Sequence, residues 1–102
     1  GLVQLIMAEH GHRLPPDAGD QERSCRPLGP RRRPRLGDLA FFGPLGAPAA
    51  HVGLMIGDGV YVHARGRVRV NSLERDNKLY DKELSSQFRG IRSPRRSAAG
   101  AI

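Results

Sequence analysis

The sequence predicts an α+β domain in which an N-terminal helix packs on an antiparallel sheet or a partly closed barrel. Residues 1–10 carry apolar side chains at helical spacing and end before Gly11, which favours a helix and its stop. From residue 38 onward, short runs of β-forming residues alternate with turns that contain glycine. The 102 residues suffice for one core, so we predict one domain over residues 1–92 and a basic flexible tail over residues 93–102.

The N-terminal helix lacks the polar residue that usually precedes a helix. Only Gly1 stands before Leu2, so the helix either begins with bare amides or has its cap upstream of this chain. After the helix, residues 13–37 are rich in proline and arginine. One short helix is predicted to open near Asp17, whereas three prolines and two glycines predict a loop over residues 26–37.

The second part of the chain is predicted to form an antiparallel β-meander. Gly57, Asp58 and Gly59 separate two runs of β-formers and predict a hairpin, and Arg65-Gly66 predicts a second tight turn. A short helix is expected over residues 81–88. The strands are predicted at residues 38–43, 51–56, 60–64, 67–73 and 89–92.

Charge and composition limit the classes of partner. The net charge is +7, mostly from arginine, and several arginines fall within residues 23–35. Such a surface suits an anionic partner or is simply a solvated loop. Aromatic residues are few and lie in core-like patterns, so no nucleic-acid partner is expected. No apolar run is long enough for a transmembrane segment, and the single cysteine, Cys25, cannot form an internal disulfide.

Two histidines lie in the predicted hairpin, and its loop length decides whether they meet. A three-residue loop pairs Met55 with Tyr61 and Gly53 with His63, which places His51 and His63 on one face, roughly 5–8 Å apart. A two-residue loop would send them to opposite faces. Because Gly53 has no side chain, we expect a hollow opposite His63 in which the two imidazoles can meet.

Two imidazoles in one hollow have three possible uses. They could be buried structural histidines, or a metal pair, which needs a third ligand such as His10, His12, Asp38 or Asp58. They could also be a general base and the residue that orients it, which requires a nucleophile. Cys25 is poorly placed for that role because it lies in a charged loop with no helix start beneath it. We interpret Cys25 as a bystander.

Several motifs of the chain, taken in order, resemble those of one known protein family. The segment "GLVQLIMAEHGHRLPPDAGDQ" resembles the helix after the nucleophile motif and the proline-containing segment that follows. "LGDLAFFG" resembles the family's Gly-Asp-Leu-x-Phe-Phe strand, and "HVGLMIGDGVYVHA" resembles its histidine-containing hairpin. "RVRVNSL" and "FRGIR" resemble the closing strands. Together these motifs resemble those of the NlpC-type cell-wall cysteine peptidases. The resemblance covers about residues 1–92 and implies a papain-like fold.

The resemblance also implies a site and a reaction. It assigns His51 as the catalytic base and His63 as its orienting residue, and it places the nucleophilic cysteine just upstream of Gly1, outside this chain. Ala50 stands where the family often has serine and is expected to contact substrate. Gly53, in the same hairpin motif, is the second expected substrate contact. No metal or cofactor is implied. The alternative is a catalytically inactive module of the same fold that binds cell-wall peptides.

The implied reaction is hydrolysis of peptidoglycan stem peptides between γ-D-glutamate and a diamino acid. By the same resemblance, stem peptides are the expected partner and the cell envelope or the exterior of a bacterium is the expected location. The departures from the family pattern are Ala50 and the arginine-rich loop over residues 31–35, for which the family motif assigns no role.

Overall fold

Six antiparallel strands form one open sheet within residues 1–94, the part of the chain that the computed structural model describes. The spatial order is β1-β6-β2-β3-β4-β5. The predicted α+β class is confirmed, and the sheet is open and not closed into a barrel. The strands are β1 (Arg26–Pro27), β2 (Leu39–Phe42), β3 (His51–Met55), β4 (Val60–Arg65), β5 (Arg67–Ser72) and β6 (Phe88–Ser93).

Three helices accompany the sheet in this part of the chain: α1 (Leu2–Glu9), α2 (Ala18–Ser24) and α3 (Lys82–Ser86). Aspartates cap the two short helices, because Asp17 accepts a hydrogen bond from the amide of Asp20 and Asp81 accepts one from the amide of Leu84. Short helices therefore lie at the two places where the sequence predicts them. The start of α1 has no side-chain cap, as its sequence indicates. Among the residues described, no helix has the length and apolar character needed to span a membrane.

Several boundaries differ from the sequence-based prediction, and Phe88, which is predicted in the helix over residues 81–88, begins β6 instead. Arg26–Pro27 lies in a strand rather than a loop, because it pairs with Arg92 and Ser93 of β6. Proline is tolerated there because β1 is an edge strand with a neighbour on one side only. The backbone amide that proline lacks is not needed on the open side. Ser93 belongs to β6, so the ordered sheet includes the first residue assigned to the tail. The rest of the predicted tail, from residue 95 onward, lies outside the described residues.

The sheet separates two apolar clusters because neighbouring side chains of a strand point to opposite faces. Helix α1 covers one face and contributes Val3 and Met7 to the cluster there. Helix α3 contributes Leu84 to the cluster on the other face. The first cluster also contains Cys25, Leu39, Phe41, Ala49 and Leu54. The second also contains Ala40, Phe42, Met55 and Tyr61.

The β3–β4 hairpin has the predicted three-residue loop. Met55 pairs with Tyr61, Leu54 pairs with Val62, and the amide of Ile56 donates to the carbonyl of Val60 at 2.9 Å. The hollow expected at Gly53 is absent, because the fully buried ring of Tyr61 occupies that space. A Cβ added at Gly53 would lie 2.6 Å from Cδ2 of Tyr61.

We predict that Gly53→Ala destabilises the domain by about 1–3 kcal/mol, because the buried Tyr61 ring must shift to admit a methyl group. Gly57→Ala is the matched control, since no heavy atom lies within 4 Å of a Cβ built there. Both substitutions restrict the unfolded chain to a similar extent. The measurement is the free energy of unfolding from urea denaturation. Equal stabilities of the two variants would contradict the packing described here.

Candidate active site

His51 and His63 meet directly on one face of the sheet. Nε2 of His51 lies 2.7 Å from Nδ1 of His63, and the two rings are nearly perpendicular, at 80°. The three-residue loop produces this contact, because it places both side chains on the same face, as the sequence predicts. His63 is only 1% exposed and His51 is half-buried, so the contact is shielded from bulk water.

Asn71 extends this contact into a chain of hydrogen bonds. Its Oδ1 lies 2.7 Å from Nε2 of His63, and its Nδ2 donates to the carbonyl oxygen of Leu79 at 3.0 Å. Sequence reasoning missed Asn71, although the tight turn at Arg65-Gly66 contained the signal. That turn pairs His63 with Arg69 and Tyr61 with Asn71, so Asn71 is a diagonal neighbour of His63 on the same face.

Aromatic rings pack around the two imidazoles and limit their rotation. The Phe42 ring lies 5.8 Å from that of His51 and 5.2 Å from that of Tyr61, between ring centroids. Tyr61 in turn lies 5.0 Å from His63. Because Phe42 and Tyr61 are fully buried, they form a rigid wall against the two histidines. The ring of Tyr61 thus fills the space over Gly53 and supports His63 at the same time.

A cleft of about 140 Å³ joins His51 to the start of α1. Ala50, a predicted substrate contact, lines this cleft, whereas Gly53, the other one, does not. Gly53 lies buried beneath Tyr61, because the ring covers it. The first turn of α1 contributes Gly1, Leu2, Val3 and Gln4, and the remaining lining residues are Pro16, Ala18, Gln21, Val52 and Ala64.

The surroundings of His51 favour its neutral form. Burial, followed by the neighbouring His63 and the positive charge of Arg65, lowers the pKa of His51 from 6.5 to about 4. The ring is therefore unprotonated at neutral pH and has a lone pair on one nitrogen. A neutral imidazole with a fixed partner on its other nitrogen has the properties of a general base.

Cys25 lies in the hydrophobic core and away from the histidines. It follows α2 at its C-terminal end, is 4% exposed, and leads into β1, which β6 and β2 separate from β3. Burial raises the pKa of the Cys25 thiol to about 11. A helix C-terminus and an apolar environment both disfavour a thiolate, which agrees with the interpretation of Cys25 as a bystander.

The candidate third metal ligands do not converge on the histidine pair. His10 and His12 line a separate cavity of about 370 Å³, beside α1. Asp38 is buried and accepts hydrogen bonds from Arg32 at 3.1 Å and from the amide of Arg35 at 2.7 Å. Across residues 1–94, no three or more His, Cys, Asp or Glu side chains are grouped to hold a metal ion. Arg32 thereby gives the arginine-rich loop a structural anchor.

The low pKa of His51 predicts a stability that decreases with acidification. Because the unfolded chain binds this proton first, the free energy of unfolding should fall as the pH drops from about 6.5 to about 4. His51→Gln should remove about 1 kcal/mol of this change, a figure reduced for solvent screening. His10→Gln, at an exposed position, is the control. The measurement is urea denaturation across this pH range, and an unchanged slope in His51→Gln would contradict it.

The raised pKa of Cys25 predicts slow alkylation of the folded chain. Its thiolate is scarce at neutral pH, and its side chain is buried. We expect iodoacetamide to react roughly two to three orders of magnitude more slowly with the folded chain than with the urea-unfolded chain. Mass spectrometry of timed samples measures both rates. Similar rates in the two states would show that Cys25 is accessible and reactive.

Comparisons with known proteins show which family the chain belongs to. The sequence model of the NlpC/P60 family matches residues 1–89. A gamma-D-glutamyl-L-lysine dipeptidyl-peptidase from Bacillus subtilis is 32% identical over 87 residues, which are 82% of this chain and 29% of that protein. The chain thus spans less than a third of that relative's length.

Two solved structures share the fold. An NLP/P60-family protein from Staphylococcus aureus, described as similar to a lipoprotein, superposes with a TM-score of 0.75 at 21% identity, over 94% of this chain and 31% of that one. An NlpC/P60 family protein from Bacillus cereus superposes with a TM-score of 0.70 at 26% identity, over 88% of this chain and 29% of that one. From its sequence match over residues 1–89, the chain belongs to the NlpC/P60 family.

Proposed function

We propose that this chain is part of a peptidoglycan-hydrolysing cysteine endopeptidase, with His51 as the general base and His63 as its orienting residue. The observation that carries the proposal is the 2.7 Å contact between Nε2 of His51 and Nδ1 of His63, beside the cleft that the first turn of α1 lines. Membership of the NlpC/P60 family supports a cell-wall peptidase. The cell envelope or the bacterial exterior is the proposed location.

The nucleophile in this proposal is a cysteine encoded just upstream of Gly1. At the start of α1 its thiol would meet free backbone amides and the positive end of the helix dipole, both of which favour the thiolate. His51 takes the thiol proton, and the resulting negative charge stabilises imidazolium against the burial that otherwise holds the pKa of His51 at about 4. The product is a thiolate–imidazolium pair.

The thiolate then attacks the peptide carbonyl carbon and forms a tetrahedral intermediate. Backbone amides at the helix start stabilise its oxyanion, an effect worth about 3–4 kcal/mol for a well-placed donor. Imidazolium His51 returns its proton to the leaving amine as the carbon–nitrogen bond breaks. Water, deprotonated by His51, hydrolyses the acyl-enzyme and regenerates the thiol.

The proposed substrate bond joins γ-D-glutamate to a diamino acid in the stem peptide. The name of the Bacillus subtilis relative, a gamma-D-glutamyl-L-lysine dipeptidyl-peptidase, supports this class of bond. Ala50 is proposed to contact the substrate, because it lines the cleft beside His51. Gly53 is proposed to act indirectly, through its contact with the Tyr61 ring.

A cell-wall peptide-binding module of the same fold is the second candidate function. The observation that favours it is the position of Cys25, the only cysteine in these 102 residues, which is buried in the core away from His51. In that case the cleft would hold a stem peptide without cleaving it.

The experiment that separates the two functions uses the protein with its encoded residues upstream of Gly1. We expect it to cleave purified muropeptides, with products identified by mass spectrometry, and His51→Ala to lower kcat/KM by about 10³-fold or more. Cys25→Ala is the matched control and should retain activity, because that side chain lies in the core. Muropeptide binding without cleavage would establish the binding module, and full activity of His51→Ala would reject His51 as the base.

A further inference from the structure

The hydrogen-bond chain from Leu79 through Asn71 and His63 to His51 has one favoured direction when both rings are neutral. It starts at the carbonyl oxygen of Leu79, which accepts hydrogen bonds and cannot donate them. The atom of Asn71 that faces it at 3.0 Å must therefore be the amide nitrogen, and the atom that faces His63 at 2.7 Å must be the oxygen. The contacts thus fix the orientation of the Asn71 amide.

The same reasoning assigns the proton on each ring. Because Oδ1 of Asn71 only accepts, Nε2 of His63 must carry a hydrogen, and Nδ1 of the neutral ring has a lone pair. Nε2 of His51 lies 2.7 Å from that lone pair and must donate to it. The hydrogen of neutral His51 is then on Nε2, which leaves Nδ1 as its free proton acceptor.

Further hydrogen bonds hold Leu79, the residue at which the hydrogen-bond chain begins. The carbonyl of Leu79 also accepts from the amide of Ser72 at 2.9 Å, and the amide of Leu79 donates to Oδ1 of Asn77 at 2.8 Å. Leu79 is thereby fixed to the end of β5, the strand that contains Asn71. Hydrogen bonds at both the carbonyl and the amide of Leu79 therefore hold in place the carbonyl that orients the Asn71 amide.

We infer that Asn71 is a positioning residue that sets the tautomer of His63 and, through it, makes Nδ1 of His51 the basic atom. The catalytic consequence of this inference rests on the proposed function, whereas the tautomers themselves do not. When His51 gains a proton on Nδ1, its Nε2–H still donates to His63. The hydrogen-bond chain therefore keeps the same arrangement before and after proton transfer.

The reverse direction is disfavoured at its first contact. Turning the Asn71 amide around would place its oxygen 3.0 Å from the carbonyl oxygen of Leu79, so that two acceptors face each other. It would also offer the amide nitrogen to His63, move the hydrogen of His63 to Nδ1, and force the hydrogen of His51 onto Nδ1. His51 would then have no free lone pair on that atom, and a base acting there would be lost.

Imidazole nitrogen NMR on the ¹⁵N-labelled 102-residue chain tests the inference without requiring activity. Spectra are recorded above the usual pKa range of histidine, where neutral rings report their tautomers. In the unaltered chain we expect hydrogen on Nε2 of both His51 and His63, with scalar coupling between His51 Nε2 and His63 Nδ1. If this spectrum showed the hydrogen of neutral His51 on Nδ1, that result by itself would overturn the inference.

Substitutions distinguish positioning by Asn71 from general support by its loop. Asn71→Leu should raise the minor Nδ1–H population of His63 about five- to tenfold, as expected for the loss of one hydrogen bond. Asn71→Asp retains the acceptor and should keep the tautomers of the unaltered chain. Ser72→Ala, the matched control, removes a neighbouring side-chain hydrogen bond, which Ser72 Oγ accepts from the amide of Glu74, and should leave both rings unchanged.

Each outcome of these variants has a defined meaning. Unchanged tautomers in Asn71→Leu, or the same shift in Ser72→Ala, would overturn the inference. If Asn71→Leu does not fold, Asn71→Asp decides, because loss of the Nε2–H tautomer of His63 despite the retained acceptor also overturns it. Inactivity of the upstream-extended protein alongside the expected spectra would reject the proposed peptidase and leave the positioning role of Asn71 intact.

Discussion

The register of the β3–β4 hairpin is the constraint on which the candidate site depends. The three-residue loop at residues 57–59 pairs Met55 with Tyr61, so the alternation of side chains brings His51 and His63 to one face. A shift of one residue would move one histidine to the other face and break the 2.7 Å contact. The tight turn at Gly66 extends the same register into β5 and places Asn71 beside His63.

The site joins the two faces of the sheet at the start of β3. His51 lies on the face of Phe42 and Tyr61, yet it also lines the cleft that the first turn of α1 forms on the other side. This position gives His51 a buried partner on one nitrogen and a cleft at its side. The low pKa of His51 is mainly a consequence of that partial burial, whereas the inferred direction of its hydrogen bond to His63 follows from the acceptor oxygens of Asn71 and Leu79.

Several features were predictable because they depend on local sequence. The N-terminal helix, the short helices that begin after Asp17 and Asp81, and the three-residue hairpin loop follow from residues that are neighbours along the chain, and the structure has all of them. The pairing of Arg26–Pro27 was not predictable, because it depends on β6, which lies far along the sequence. The filled space at Gly53 was also missed, since a pairing diagram does not show how far an aromatic ring extends across a strand.

The sequence by itself determined the α+β class, because the periodicity of side chains acts over short distances, and its motifs carried the resemblance to cell-wall peptidases. It predicted a shared face for the two histidines on condition of a three-residue loop. Only the tertiary structure decided that Tyr61 covers Gly53, that Asp38 anchors Arg32, and that Asn71 and Leu79 continue the hydrogen-bond chain. These contacts depend on the direction of each side chain and on the position of the Leu79 carbonyl, which lies in the segment that follows β5. The spacing of residues along a strand specifies neither the side-chain directions nor the position of that carbonyl.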